Sequence, residues 1–321
     1  MKNIEKISPD RPEIDGSARL TINPEHRRRI DLSISLVSFN TKDLLENCLN
    51  SIFKHIGKLK LEIFVVDNAS KDGTPKMVKE KFPQVKLTVN KQNLLFTKAH
   101  NQNLALVRGK YFLVLNEDIT IPALALEKMI KFMNDHPKVG LASCKEVDEY
   151  GKTDLTCPKF PHPLTELLES SYLGTVIKKI VFRRKIKKLL DSQHYKNWKR
   201  DTVREVDFIP GSFFFGKKEV LDIVGLFDEN LLLFYEEPDY CQRAKKEGFA
   251  IYHNGNVKIV HLRTQAIAKL PALQRYKIAE HDMLYYHKKY FGFLWWIFLW
   301  LAFRPNWLYW RLKTLKERDV I

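Results

Sequence analysis

Three apolar runs in the first 120 residues each stop abruptly at polar side chains, and this repeated ending constrains the fold most. Leu32–Ser38 (LSISLVS) runs into Phe39-Asn40-Thr41, and Leu61–Val66 (LEIFVV) into Asp67-Asn68-Ala69-Ser70. Tyr111–Leu115 (YFLVL) runs into Asn116-Glu117-Asp118. Short continuous apolar runs read as strands buried on both faces. Helical patterns separate them: Leu44, Leu45, Cys48, Leu49, Ile52 and Phe53 repeat with helical spacing behind Thr41, a candidate cap. A short strand is expected over Val85–Val89, a helix over about Thr97–Val107, a helix from Pro122 to Asp135 and a strand over Val139–Ser143. Strands alternating with helices at this spacing predict an α/β fold with a mainly parallel, doubly wound sheet.

The later half is looser. Thr165–Leu190 reads as helical and carries the basic run Lys178 to Lys188. DFIPGSFFFG enters a short aromatic strand, and Lys217–Gly225 reads as a helix closed by glycine. Asp228–Tyr235 is expected as a loop, and Glu236-Glu237-Pro238-Asp239 opens a helix running to Gly248, with Pro238 in its first turn. Two short strands follow near Ala250–Tyr252 and Val257–Val260, the second ending at His261. Residues 1–30 read as a flexible N-terminal arm, 31–265 as the main domain and 266–321 as a C-terminal helical region.

Charge narrows the classes of partner. The 54 basic residues exceed the 38 acidic ones, giving +16, which suits phosphate-rich ligands or an anionic membrane surface. The four cysteines are scattered and form no CxxC pair, so neither a zinc site nor a disulfide framework is indicated, and a reducing cytoplasm is the expected location. The polar, charged N-terminus does not read as a secretory signal. No helix-turn-helix, zinc-finger or RNP-like motif is present, so nucleic acid is not an expected partner.

Ligands of open α/β sheets bind beyond the carboxyl ends of the strands. Parallel neighbours would gather Ser38, Asn40, Asp67, Asn68, Asn116, Glu117 and Asp118 along one such edge. Asp67 could accept a hydrogen bond from a base or ribose, and Asp118, with Glu117, could hold a divalent cation on a diphosphate. Turn and cap roles compete for each residue taken singly. Glycine-rich phosphate loops of the GxGxxG or GxxxxGK[ST] kind are absent. In the later half Glu236, Glu237 and Asp239 are either dipole-stabilising residues of a helix N-terminus or general bases. His261 is either a third metal ligand or a core histidine.

Taken in order, SLVSFN, VVDNASKDGT, the NxxF of Asn93–Phe96, KAHN, VLNED, IPGSFFF, VGLFDEN, YEEPDYCQRAKKEG and a closing VH resemble glycosyltransferase family 2, and most its rhamnosyltransferase-type branch. The resemblance covers about Leu32 to His261. It implies a GT-A fold and an inverting sugar transfer from a nucleotide-diphosphate sugar, with Mn²⁺ or Mg²⁺ as cofactor. By position, Ser38, Asn40, Asp67, Asn68, Asn93, Asn101 and Asn116 would face the donor. Asp118 matches the last acidic position of the DxD-like motif. Glu237 matches the catalytic base, flanked by Glu236 and Asp239, and His261 a histidine that helps hold metal or diphosphate. Two positions depart from the family pattern: Glu237 stands where Asp is usual, and Leu95 replaces the glycine of NxGF. A glycine position with positive φ would strain leucine.

Phe291–Phe303 (FGFLWWIFLWLAF) is too short and aromatic for a comfortable membrane span. With Arg304, Trp307, Tyr309, Trp310 and Arg311 it suits the headgroup level of a bilayer, against the competing reading of a buried helix or dimer interface. The combined expectation is a peripheral enzyme on the inner face of the cell membrane, acting on a glycan or lipid-linked acceptor. A nucleotidyltransferase shares the strand-end carboxylates, and a non-catalytic basic membrane- or nucleic-acid-binding protein shares the charge.

Overall fold

The computed structural model describes residues 30–180, 183–263 and 270–318. The expected N-terminal arm therefore lies outside the described residues, apart from its last position. The first half alternates β1 (Leu32–Ser38), α1 (Lys42–Lys54), β2 (Leu61–Asp67), α2 (Thr74–Lys81), β3 (Lys86–Val89), α3 (Leu95–Leu104), β4 (Tyr111–Asn116), β5 (Ile119–Thr120), α4 (Ala125–Asp135) and β6 (Val139–Val147). Next come α5 (Pro163–Ser170), α6 (Tyr172–Ile180), α7 (Arg183–Gln193), β7 (Val203–Glu205), β8 (Phe213–Lys217), α8 (Lys218–Val224), α9 (Glu236–Lys246) and β9 (Ala250–His261). Helices α10 (Ala272–Phe291), α11 (Phe293–Ala302) and α12 (Arg304–Arg318) end the described chain.

The strands join one sheet in the order β3-β2-β1-β4-β8-β6-β9-β5, with β7 paired to β9. The first four positions are parallel, as the spacing predicts. The sheet as a whole is mixed, because β8 runs antiparallel to both β4 and β6. Its direction follows from where the chain enters: Asn116 N–H donates to Ser212 O at 3.0 Å, so the aromatic segment starts where β4 ends and must run back. The antiparallel strand thus delivers Gly211 and Ser212 to the edge where the parallel strands finish.

Side-chain alternation explains the uninterrupted apolar runs. Tyr111, Leu113, Leu115, Phe213 and Phe215 pack on one face with residues of α1, α2 and α4. Phe112, Val114 and Phe214 pack on the other with residues of α8 and α9. Both faces are covered, so positions of either parity in β4 and β8 are apolar.

Several local expectations shift. The two strands foreseen around His261 are one, β9, whose pairing with β6 slips between Cys144 and Lys145 and so accommodates the polar Asn254-Gly255-Asn256. The long helical stretch after Thr165 is divided: Ser171 is extended at φ −97°, ψ 153°, and residues 181–182 lie outside the description. Thr41 stands at the N-cap of α1 without a side-chain cap bond; its hydroxyl donates to Glu117, at 3.0 Å. Helix α4 starts at Ala125, behind Leu124 at φ 61°, three residues later than Pro122 suggested. Gly225 closes α8 at φ 82°, as expected.

One buried carboxylate ties the rim opposite the strand ends. Glu62 on β2 accepts from Ser33 Oγ of β1 at 2.6 Å, Lys86 Nζ of β3 at 2.7 Å and Arg108 N–H at 2.8 Å. Burial alone would raise its pKa, but the bonds from Lys86, Ser33 and Arg108 hold it down at about 2. A depressed folded-state pKa contributes stability that is present above the unfolded value of 4.5 and lost as pH falls from there toward 2. Glu62→Gln should lower the melting temperature at pH 7 by about 2–4 °C. It should also flatten the loss of stability between these two pH values; parallel thermal melts of both proteins across that range measure it.

Candidate active site

A cavity of about 340 Å³ opens at the carboxyl edge of the sheet. The ends of β1 and β4, the 93–96 turn, Gly211-Ser212, the start of α9 and the end of β9 surround it. Of the residues singled out in the sequence, Asn68, Asn93, Asn116, Glu117, Asp118, Glu236, Glu237 and His261 line it. The register accounts for the convergence, since Ser38 pairs with Asp67 across β1–β2 and Val37 with Asn116 across β1–β4.

His261 joins the two sides. Its Nδ1 lies 2.8 Å from Glu146 Oε2 and its Nε2 3.2 Å from Asp118 Oδ1. Burial alone would lower its pKa, but the bonds to Asp118 and Glu146 push it up to about 10. Ser212 Oγ donates to the other oxygen of Glu146 at 2.6 Å. Glu146, Asp154 and His261 present ligand atoms within 4.8 Å of one another, and Arg263 Nε donates to Asp154. This donor set fits a hard divalent cation. A carboxylate on one ring nitrogen is the usual second partner of a metal-ligating imidazole, and a cation at Nε2 would displace the proton that His261 shares with Asp118. Asp118 borders this set through its contact with His261 Nε2.

Glu236 and Glu237 open α9. Glu237 Oε1 accepts from Gly211 N–H at 2.9 Å, and burial raises its pKa. Burial, followed by the charge of Glu237, raises that of Glu236 well above the carboxylate range. Gly211 is required here by space, because a Cβ would stand 2.8 Å from Glu237 Oε1 and 3.1 Å from Phe96. The helix entry is held from a distance. Asp282 of α10, itself fully buried, accepts the N–H groups of Leu232, Leu233 and Phe234 at 3.1, 2.9 and 3.0 Å. Tyr235 then turns into α9 at φ 65°.

Other expected site residues lie around the cavity without lining it. Asp67 is fully buried; one oxygen accepts from Ser70 N–H at 2.9 Å and the other has no hydrogen-bond partner among the described residues. Ser38 bonds Thr41 at 2.9 Å, and Asn40 Oδ1 accepts from Lys71 N–H at 2.7 Å. Asn101 is spent on structure, exchanging hydrogen bonds with the backbone of Phe227 and donating to Glu229. Asp239 is fully buried among Arg243, Lys289 and Tyr290. It braces α9, whereas Glu236 and Glu237 both line the cavity.

Leu95 has φ 62°, so the backbone keeps the left-handed turn that glycine would favour. Asn93 Oδ1 accepts its N–H at 2.8 Å and Asn68 Nδ2 donates to its carbonyl at 3.0 Å, which holds the strained conformation in place.

Glu146, Asp154, Gly211 and Asp282 were not singled out in the sequence. Glu146 follows Lys145 at the polar end of β6, where an acidic residue is ordinary, and neither it nor Asp154 or Asp282 carries a local signal.

The α/β fold with its central mixed sheet matches that of GT-A glycosyltransferases. Residues 33–189 match the family model for glycosyl transferase family 2. Among solved structures, a mannosyltransferase from Pyrobaculum calidifontis in complex with GDP-Man and Mn²⁺ aligns at TM-score 0.51 and 20% identity, over 80% of this chain and 64% of that one. S. aureus TarS (1-349) in complex with UDP aligns at TM-score 0.51 and 16% identity, over 79% and 64%. Uncharacterized proteins of Mycobacterium tuberculosis and Mycobacterium bovis are 26% identical over 112 residues, 33% of this chain and 32% of theirs. The aligned stretch thus spans about a third of those relatives.

Two substitutions probe the site's framework. Leu95→Gly should raise unfolding stability by about 1 kcal/mol, read from urea denaturation, by removing the left-handed strain. Asp282→Ala leaves three partly buried N–H groups without their acceptor and should cost about 2–3 kcal/mol. Amide exchange at 232–234 should accelerate in that variant.

Proposed function

We propose that this chain is an inverting glycosyltransferase that moves a sugar from a nucleotide-diphosphate donor to a hydroxyl of a glycan or lipid-linked acceptor, within a domain spanning residues 31–265. The observation that carries this reading is the convergence of Asp118, His261 and Glu237 on one cavity at the carboxyl edge of the sheet. The motif order, the family match and the presence of a nucleotide or nucleotide sugar in both solved relatives support it. Resemblance to the rhamnosyltransferase-type branch makes rhamnose the sugar to test first.

In this reading Asp67, buried behind the cavity wall with one oxygen unbonded among the described residues, is the candidate acceptor for the base or ribose, while Asn40 shapes the neighbouring turn and Asn68, Asn93 and Asn116 line the donor's path. Asp118 and His261 would hold Mn²⁺ or Mg²⁺, which when bound neutralises charge on the departing diphosphate. Glu117 stays on Thr41 and shapes the floor. Glu237 takes the proton from the acceptor hydroxyl; its raised pKa makes it a stronger base than an exposed carboxylate. Gly211 N–H orients that carboxylate, and buried Glu236 beside it favours the neutral form, so the pair avoids two adjacent buried charges.

The test is product release from candidate nucleotide sugars with an acceptor, plus melting shifts with nucleoside diphosphates. Glu237→Gln preserves the acceptor for Gly211 N–H but removes the base. It should lower kcat by about 10²–10⁴-fold and leave the nucleotide-induced melting shift intact. Asp118→Asn should abolish the metal-dependent part of that shift. The wild-type rate should climb with pH through a midpoint above 4.5, because Glu237 must lose a proton that burial retains. An undiminished rate in Glu237→Gln would sink the assignment, and release of inorganic pyrophosphate in place of a nucleoside diphosphate would mark nucleotidyl transfer.

A further inference from the structure

Helix α11 buries only one side. Leu299 and Ala302, with Phe303 after them, pack with Met283 of α10, Leu167 of α5 and Tyr235 in front of Glu236. The opposite side shows Leu294 at 81% exposure, with Phe293 and Leu301 each at 57%. Helix α12 adds Leu308, Tyr309 and Leu312 at 51–59%, and α6 adds Leu173 and Val176. The three helices adjoin: α12 packs on both α11 and α6, and Asn306 clips them by accepting from Tyr172 N–H at 2.7 Å and donating to Ser170 O at 2.8 Å. An exposed apolar face assembled from three helices marks an interaction surface.

The charge around it chooses the partner. Helices α6, α7, α11 and α12 contain twelve basic and two acidic residues. Four tryptophans of α11 and α12 each carry a cation over the ring: Lys288 over Trp296 at 5.8 Å, Arg304 over Trp300 at 4.6 Å, Arg311 over Trp307 at 5.1 Å and Lys313 over Trp310 at 5.0 Å. Apolar side chains beside indole rings and basic heads are the composition of a surface seated at headgroup depth. Two copies meeting through this face would oppose like charge, whereas anionic lipid neutralises it. No helix among the described residues is long and apolar enough to cross a membrane, so the contact is with one leaflet.

We propose that the α6–α11–α12 face docks this protein onto an anionic lipid bilayer. The docking is independent of the transfer chemistry and can be measured without a donor or acceptor. Because the buried side of α11 touches Tyr235, the docked face lies directly behind the entry to α9.

The full chain should co-sediment with vesicles of phosphatidylcholine and phosphatidylglycerol in equal parts, with a blue-shifted tryptophan emission. It should bind phosphatidylcholine alone at least tenfold more weakly, and salt should weaken the anionic binding. The double variant Leu294→Glu, Leu301→Glu should lose at least tenfold in binding while keeping its melting temperature, since both side chains face solvent. Lys187→Glu with Lys188→Glu, on a helix without buried residues, should weaken binding through charge alone. Failure of the wild type to sediment with anionic vesicles would overturn the proposal, as would unchanged binding in the leucine variant. A concentration-dependent dimer that Leu294→Glu dissolves, with no lipid binding, would overturn it in favour of a second copy.

Discussion

Everything at the site depends on β1 lying in parallel register between β2 and β4. That pairing sets Asp67 level with Ser38 and Asn116 level with Val37, so three chain segments leave the sheet at one height. Parallel strands buried on both faces admit a polar side chain along their length only where it finds a partner, as Ser33 does at Glu62 and Ser35 at His100, so the remaining polar groups gather at the ends. The antiparallel β8 starts from the same edge and adds Gly211 and Ser212; β9 ends there with His261. Four strand ends and one strand beginning therefore share a single rim. The charges gathered there persist because each is paired or hydrogen-bonded: His261 between Asp118 and Glu146, Glu146 with Ser212, Glu237 with Gly211.

Much of this was legible in the sequence because the signals were local. Apolar runs ending in Asn40, Asp67 and Asp118 announce strands and the side on which ligands would meet them, and Pro238 behind paired glutamates announces a helix start. The direction of β8 was not legible, since FFF reads alike in either sense and only the position of Ser212 beside Asn116 decides it. Nor was Glu146, which stands 115 residues from His261 and acquires its meaning only across the sheet. At Asn101 and Asp239 the sequence shows the motif position but not the partners. Their motif positions drew attention, yet their side chains are consumed by Phe227 and by Arg243, Lys289 and Tyr290. Thr41 occupies a cap position, but its hydroxyl makes no cap bond and instead donates to Glu117, 76 residues away.

The departure at Leu95 illustrates how a motif's geometry outlives its residue. The left-handed turn is kept, at φ 62°, by Asn93 and Asn68, whose side-chain amides grip the backbone on both sides. Asn40, Ala69 and Tyr235 also have positive φ and stand around the same rim. Sharp reversals immediately after strands, and before α3 and α9, are what bring backbone and side chains to face the cavity instead of passing over it.

Helix α10 reaches the site only through other residues, and this governs how such a chain can be recombined. Asp282 grips the backbone of 232–234, Tyr285 and Lys289 grip Asp228, and Tyr290 with Lys289 grips Asp239. The match to family 2 ends at residue 189, well before any of these partners. A chimera joined between β9 and α10 would inherit all the strand-end polar groups and yet leave the Glu237 loop without its anchors. A junction placed after Phe291 would carry loop and anchors as one inheritable unit, leaving α11 and α12 free to be exchanged.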